Sequence, residues 1–116
     1  MSRAYGMEVA VREHRKNKVD AIFRAAKQEW HFKSQEKREV AGAMVLVLDY
    51  AEGYLCGGES EEEFADRLAL AIWRANGGYC EVTVHATYLE DQPMESHLRD
   101  EEDFERLKDN EHPASR

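Results

Sequence analysis

Cys56-Gly57-Gly58-Glu59-Ser60-Glu61-Glu62-Glu63-Phe64, running on through Asn76-Gly77-Gly78 to Cys80-Glu81-Val82-Thr83-Val84-His85-Ala86-Thr87-Tyr88-Leu89, is the stretch that decides the fold. It reads as a turn, a helix with both ends specified, and a strand. Ser60 and Glu63 form a capping box: the serine hydroxyl accepts from the Glu63 backbone N–H, and the Glu63 carboxylate accepts from Ser60 N–H. Glu61, Glu62 and Glu63 also put negative charge at the positive end of the helix dipole. Asn76, Gly77 and Gly78 tolerate positive φ and stop the helix. Beyond them, Cys80, Val82, Val84, Ala86 and Tyr88 alternate with Glu81, Thr83, His85, Thr87 and Leu89, the period of a strand with one apolar and one mixed face.

Upstream, Tyr5, Met7, Val9 and Val11 alternate with Gly6, Glu8, Ala10 and Arg12, which predicts a first strand. Asn17 is the predicted N-cap of a helix whose apolar stripe is Val19, Ile22, Phe23, Ala26 and Trp30. Trp30 to Ser34 is expected to begin a short edge strand within the polar segment 31–39. Ala43 to Leu48 is an unbroken apolar run, so this strand is expected to be central and covered on both faces. Asp91-Gln92-Pro93 ends the last strand, and Asp100-Glu101-Glu102-Asp103 caps a short helix that carries Phe104 and Leu107. The order predicts an α+β fold of the ferredoxin-like, split β-α-β type (βαββαβ), with two helices on one face of an antiparallel sheet and a short C-terminal helix or tail. The rival is a three-stranded α/β unit with parallel pairings and no strand near His31. Residues 1–108 are expected to form one domain and 109–116 a tail.

With 116 residues, 42% hydrophobic and 34% charged, the chain is long enough for a core without staples and has no membrane-length apolar run. No apolar leader follows Met1, so a cytoplasmic location is expected, with Cys56 and Cys80 reduced. A formal net charge of −8 opposes direct nucleic-acid binding. Basic residues concentrate in Arg12 to Lys18 and Lys33 to Arg38, and the acids elsewhere favour a partner with a basic surface.

Catalytic, cofactor and metal signatures are missing from the pattern. His14, His31, His85, His97 and His112 share no ligand spacing. Cys56-Gly57-Gly58 precedes a helix, but Glu59, Glu61, Glu62 and Glu63 would repel phosphate and raise a thiol pKa. A non-enzymatic binding protein is therefore the first reading. The alternative is a small enzyme or ligand-binding domain on the open sheet face, with His85, Glu81 and His14 lining it. At a hundred degrees per residue, Phe64, Leu68, Ala71, Ile72 and Ala75 share one helix face, which leaves Leu70 and Trp73 opposite. Two accounts stand for that pair: interface anchors with Asp66, Glu62 and Glu63 as a charged rim, or coverage by Phe104 and Leu107 of the C-terminal segment. The apolar strand facing an open sheet surface also predicts self-association as a homodimer.

At Leu55 to Ala65, Ala71 to Val84 and Ala86 to Asp91 the chain resembles small uncharacterised proteins of bacteriophages and bacterial mobile elements. Leu70 and the apolar Val40 to Leu48 depart from that group's more polar pattern. The group carries no activity or catalytic residues to transfer. What the resemblance implies is an accessory protein that binds a host protein, for example as an inhibitor of a defence or nucleic-acid-handling complex.

Overall fold

The computed structural model describes residues 3–55, 57–90 and 94–111, with side chains through Lys108. Strand β1 (Arg3–Arg12) is followed by a 3-10 turn (Lys16–Lys18), helix α1 (Val19–Glu29), strands β2 (Gln35–Val40) and β3 (Ala43–Leu55), helix α2 (Glu61–Asn76), strands β4 (Glu81–Tyr88) and β5 (Met94–Arg99), and helix α3 (Glu101–Glu111). The strands form one antiparallel sheet in the order β2-β3-β1-β4-β5. The α+β class and antiparallel sheet are as expected, and β1 holds the centre. β3 lies one place out from it, so the apolar run is interior but not central.

Strand β5 is an addition to the expected plan. Its alternation is Met94, Ser96, Leu98 against Glu95, His97, Arg99, and the face it buries is the polar one. Apolar periodicity therefore does not mark it. Residues 91–93, where the sequence predicts the end of β4, and Cys56 lie outside the described residues. So do 112–116, whereas α3 runs through 111, past the boundary expected at 108.

The edge strand near His31 forms further on, at Gln35–Val40. It joins β3 through Ala41 and Gly42, both at positive φ (52° and 82°), the handedness that matches strand twist in a two-residue hairpin. Asn17 is not a cap: it sits in the 3-10 turn, and Lys18 precedes α1 without a side-chain capping bond. The α2 prediction holds in detail. Glu63 N donates to Ser60 Oγ at 3.1 Å and Ser60 N to Glu63 Oε1 at 2.9 Å. Gly77, at φ 82°, closes the helix with its N–H on the Trp73 carbonyl.

Tyr5, Met7, Val9 and Val11 of β1 pack with Leu46 and Leu48 of β3, Val82 and Val84 of β4, and the apolar stripes of α1 and α2 in one core. A bulge shapes β3. Val9 pairs with Leu48 and Met7 with Ala51, so Asp49 and Tyr50 together oppose Glu8. Before the bulge even-numbered residues face the helices; after it Ala51, Gly53 and Leu55 do. Trp30 reaches over this corner, its indole N–H donating to the Ala51 carbonyl at 3.0 Å.

Candidate functional site

The helix-free face of the sheet follows from the register. Across it lie Glu36, Val47, Ala10, Thr83 and Leu98 in one row and Arg38, Val45, Arg12 and Glu81 in the next. Val45 and Val47 are only 3% and 4% exposed, so the apolar run is sealed by its neighbours and does not itself form a patch. The exposed apolar groups are others. Six large hydrophobics are exposed among the described residues, and five of them, Val40, Tyr50, Tyr54, Met94 and Leu98, belong to this face. Glu8, Glu36, Asp49, Glu52 and Glu81 add five carboxylates against the guanidinium groups of Arg12 and Arg38. Arg38 pairs with Glu36 at 2.6 Å and Arg12 with Glu81 at 3.5 Å, which leaves Glu8, Asp49 and Glu52 as the acidic excess. Tyr50 donates to Glu52 at 2.9 Å, and its ring lies over Gly6.

The sequence-predicted site residues separate into three places. His85 and Glu81 are on the open face, but His14 is not with them: it lies beyond β1 beside Lys37, near the helix side. Antiparallel pairing instead sets Glu8 opposite His85, and His85 Nδ1 is 2.8 Å from Ser96 Oγ. Ser96 carried no signal because β5 was not legible. A serine, a histidine and a carboxylate thus share the face. The described clefts, lined by Leu70 and Phe104, by His14 and Lys37, and by Ala25 and Ala71, lie elsewhere.

Trp73 is not an outward anchor. It is 3% exposed, donates its indole N–H to the Cys80 carbonyl at 2.7 Å, and meets Phe104 edge-on at 5.1 Å. Of the two accounts, coverage by the C-terminal segment is the one that forms, through Phe104, and Leu107 of the same helix is buried as well. Leu70 is half-buried at the lip of the cleft above Trp73. The intended rim is also engaged internally. Arg99, buried on β5, holds Glu62 at 2.7 Å and Asp66 at 2.7 Å, while Glu63 completes the cap. The Arg99 hydrogen bond keeps the Glu62 carboxyl below its usual value of 4.5.

His97 is the other polar group that β5 buries, at 8% exposure. Its Nε2 is 2.7 Å from Glu61 and its Nδ1 3.1 Å from Glu62, so each ring nitrogen faces a carboxylate. Glu61, Glu95 and His97 bring donor atoms within 4.8 Å of one another, the ligand types of a divalent-cation site. The group sits on the N-terminal turn of α2, where the helix dipole disfavours a cation. Its geometry is that of a clasp between β5 and α2.

Cys80, the described cysteine, is a free thiol on the helix side of β4, and burial pushes it up to about 12. Such a thiol is a poor nucleophile. Among the described residues no helix is long and apolar enough to cross a membrane. Comparison with protein-family models, with curated proteins and with solved structures returned no match.

Proposed function

We propose that this protein acts by protein–protein binding, through the open face of its sheet, on a partner with a basic surface. The observation that carries the reading is the coincidence on one face of five of the six large hydrophobics exposed among the described residues with an excess of carboxylates. Exposed apolar groups interleaved with a net acidic excess suit a complementary protein surface, and the field steers encounter with a cationic one. Leu70, Trp73, Glu62 and Asp66 leave the interface; Tyr50, Tyr54, Met94, Leu98 and Glu52 take their place. We read residues 3–88 as the split β-α-β unit expected from the sequence, with β5 and α3 added at one edge. The added edge strand contributes Met94 and Leu98 to the proposed surface. An accessory role in a phage or mobile-element setting, against a host defence or nucleic-acid-handling complex, is supported by the sequence resemblance alone.

Self-association through this face would set like charges against one another, which favours a different partner over a second copy. The Ser96–His85 pair supports the alternative of a ligand-binding or enzymatic face less well, because it lies on an open surface without the enclosure of a small-molecule site. Capture from a bacterial lysate by immobilised protein tests the reading, with prey identified by mass spectrometry. The expected prey has a basic surface, is released by salt, and is lost from a Glu36→Lys, Glu52→Lys, Tyr54→Ala variant but kept by a helix-side Asp20→Lys control. Capture unchanged by the sheet-face variant, or a dimer in light scattering that this variant dissociates, would overturn it.

A further inference from the structure

The two basic segments of this acidic chain, far apart in sequence, converge in the fold. Lys16, in the turn after β1, and Lys37, on the edge strand β2, line one cleft of about 160 Å³ with His14, Val19 and Met44. Neither ammonium group meets a carboxylate among the described residues. His14 Nδ1 is buried there without a well-formed hydrogen bond, although the Val11 backbone lies close enough to act on the ring. Among the described residues Met44 is the one exposed large hydrophobic on the helix side of the sheet, and Val19, lining the same cleft, opens the apolar stripe of α1. The proposed protein-binding face, on the other side of the sheet, uses none of these residues.

We infer that this cleft binds a small organic carboxylate, its apolar body against Val19 and Met44 and its anionic head between Lys16, Lys37 and His14. Each half of the lining selects one half of the ligand. Two ammonium groups and an imidazole nitrogen call for an anion, whereas Val19, Met44 and the lysine stems offer nothing to a bare phosphate. The volume lies below the roughly 300–1,000 Å³ of pockets for drug-sized ligands, so the occupant has on the order of ten non-hydrogen atoms. Burial, and then the charge of Lys37, hold the His14 imidazole below its usual 6.5, while the Val11 carbonyl acts the other way. A bound carboxylate would face His14 together with Lys16 and Lys37 and raise that pKa.

Hexanoate is the probe, with inorganic phosphate and 1-hexanol as arms that carry only the charge or only the chain. NMR titration of the full chain is expected to shift the Val19 and Met44 methyl signals, with an affinity on the order of millimolar for a ligand of this size. It should also raise the His14 titration midpoint. Phosphate and hexanol should each bind roughly tenfold more weakly, and Lys16→Gln with Lys37→Gln should weaken hexanoate by about tenfold, since two exposed charge-assisted contacts together are worth about 1.4 kcal/mol. Both lysines are exposed, so the double variant should fold, as circular dichroism would check. Phosphate binding as tightly as hexanoate, hexanol binding as tightly, shifts elsewhere on the protein, or a double variant with unchanged affinity would each overturn the assignment.

Discussion

At the scale of single residues, burial sets the chemistry of this protein more than charge does. Cys80 sits among apolar side chains, and its thiol at about 12 stays protonated at neutral pH. In a Cys56→Ser background, iodoacetamide at pH 8 is expected to modify Cys80 roughly a hundredfold more slowly than a peptide thiol, with urea restoring the rate. Mass spectrometry of the quenched reaction checks this. His14 makes the second case. Its folded-state pKa lies below 6.5, so the unfolded chain takes up the proton first and the native state loses stability as pH falls through that value. His14→Gln should flatten the stability profile between pH 7 and 5, measured by urea unfolding. An unchanged slope would mean that His14 is not responsible.

At the scale of elements, α2 is held at both ends and on three sides. Ser60→Ala removes one half of the capping box and should cost about 1 kcal/mol in urea unfolding. Ser60→Asp should retain most of it. The Trp73 side of α2 depends on α3, whose own start is capped by Asp103 N on Asp100 Oδ1 at 3.1 Å and Asp100 N on Asp103 Oδ2 at 3.0 Å. Phe104→Ala should uncover Trp73, costing about 2 kcal/mol because the ring is half-buried, and shifting tryptophan emission to the red. Emission that stays blue would mean that α3 is not what shields the indole. Gly53 shows a different dependence: a Cβ there would lie 2.5 Å from the His31 ring and 3.0 Å from the buried Trp30 ring, so alanine at 53 must displace the His31 ring and press on the indole.

At the scale of the whole molecule, the β5–α2 clasp joins the far edge of the sheet to the helical layer. Arg99 is buried with Glu62 and Asp66 on it, and removing the guanidinium leaves two carboxylates facing each other. Arg99→Ala should cost about 2 kcal/mol, below the range for fully buried pairs because both acids are partly exposed. The Glu62 carboxyl titrates below 4.5 when folded, so the clasp contributes above that pH and is lost as pH falls through the folded value. Acid unfolding of the wild type should therefore be steeper near pH 4 than that of Glu62→Gln. Equal slopes would remove Glu62 from the account of acid stability.

Local rules made much of this architecture legible. The Ser60 box, the Gly77 stop, the alternation of β1 and β4 and the Asp100 cap rest on contacts within a few positions along the chain, and residue types at those spacings settle them. Nothing of that kind marks β5, because His97 and Arg99 are buried by carboxylates some 33 to 37 positions away. The same limit applies to the candidate sites. Helical periodicity placed Leu70 and Trp73 opposite the core face of α2, but not that Phe104 would close over the indole. Two basic segments were visible as composition, and only the β2–β3 hairpin brings Lys37 to Lys16. By itself the sequence determined the class of fold, the limits of α2 and the acidic balance, through short-range hydrogen bonding, periodicity and charge. Tertiary structure alone decided which apolar groups stay in water and which charges share a surface, because both depend on neighbours that chain folding, not spacing, supplies.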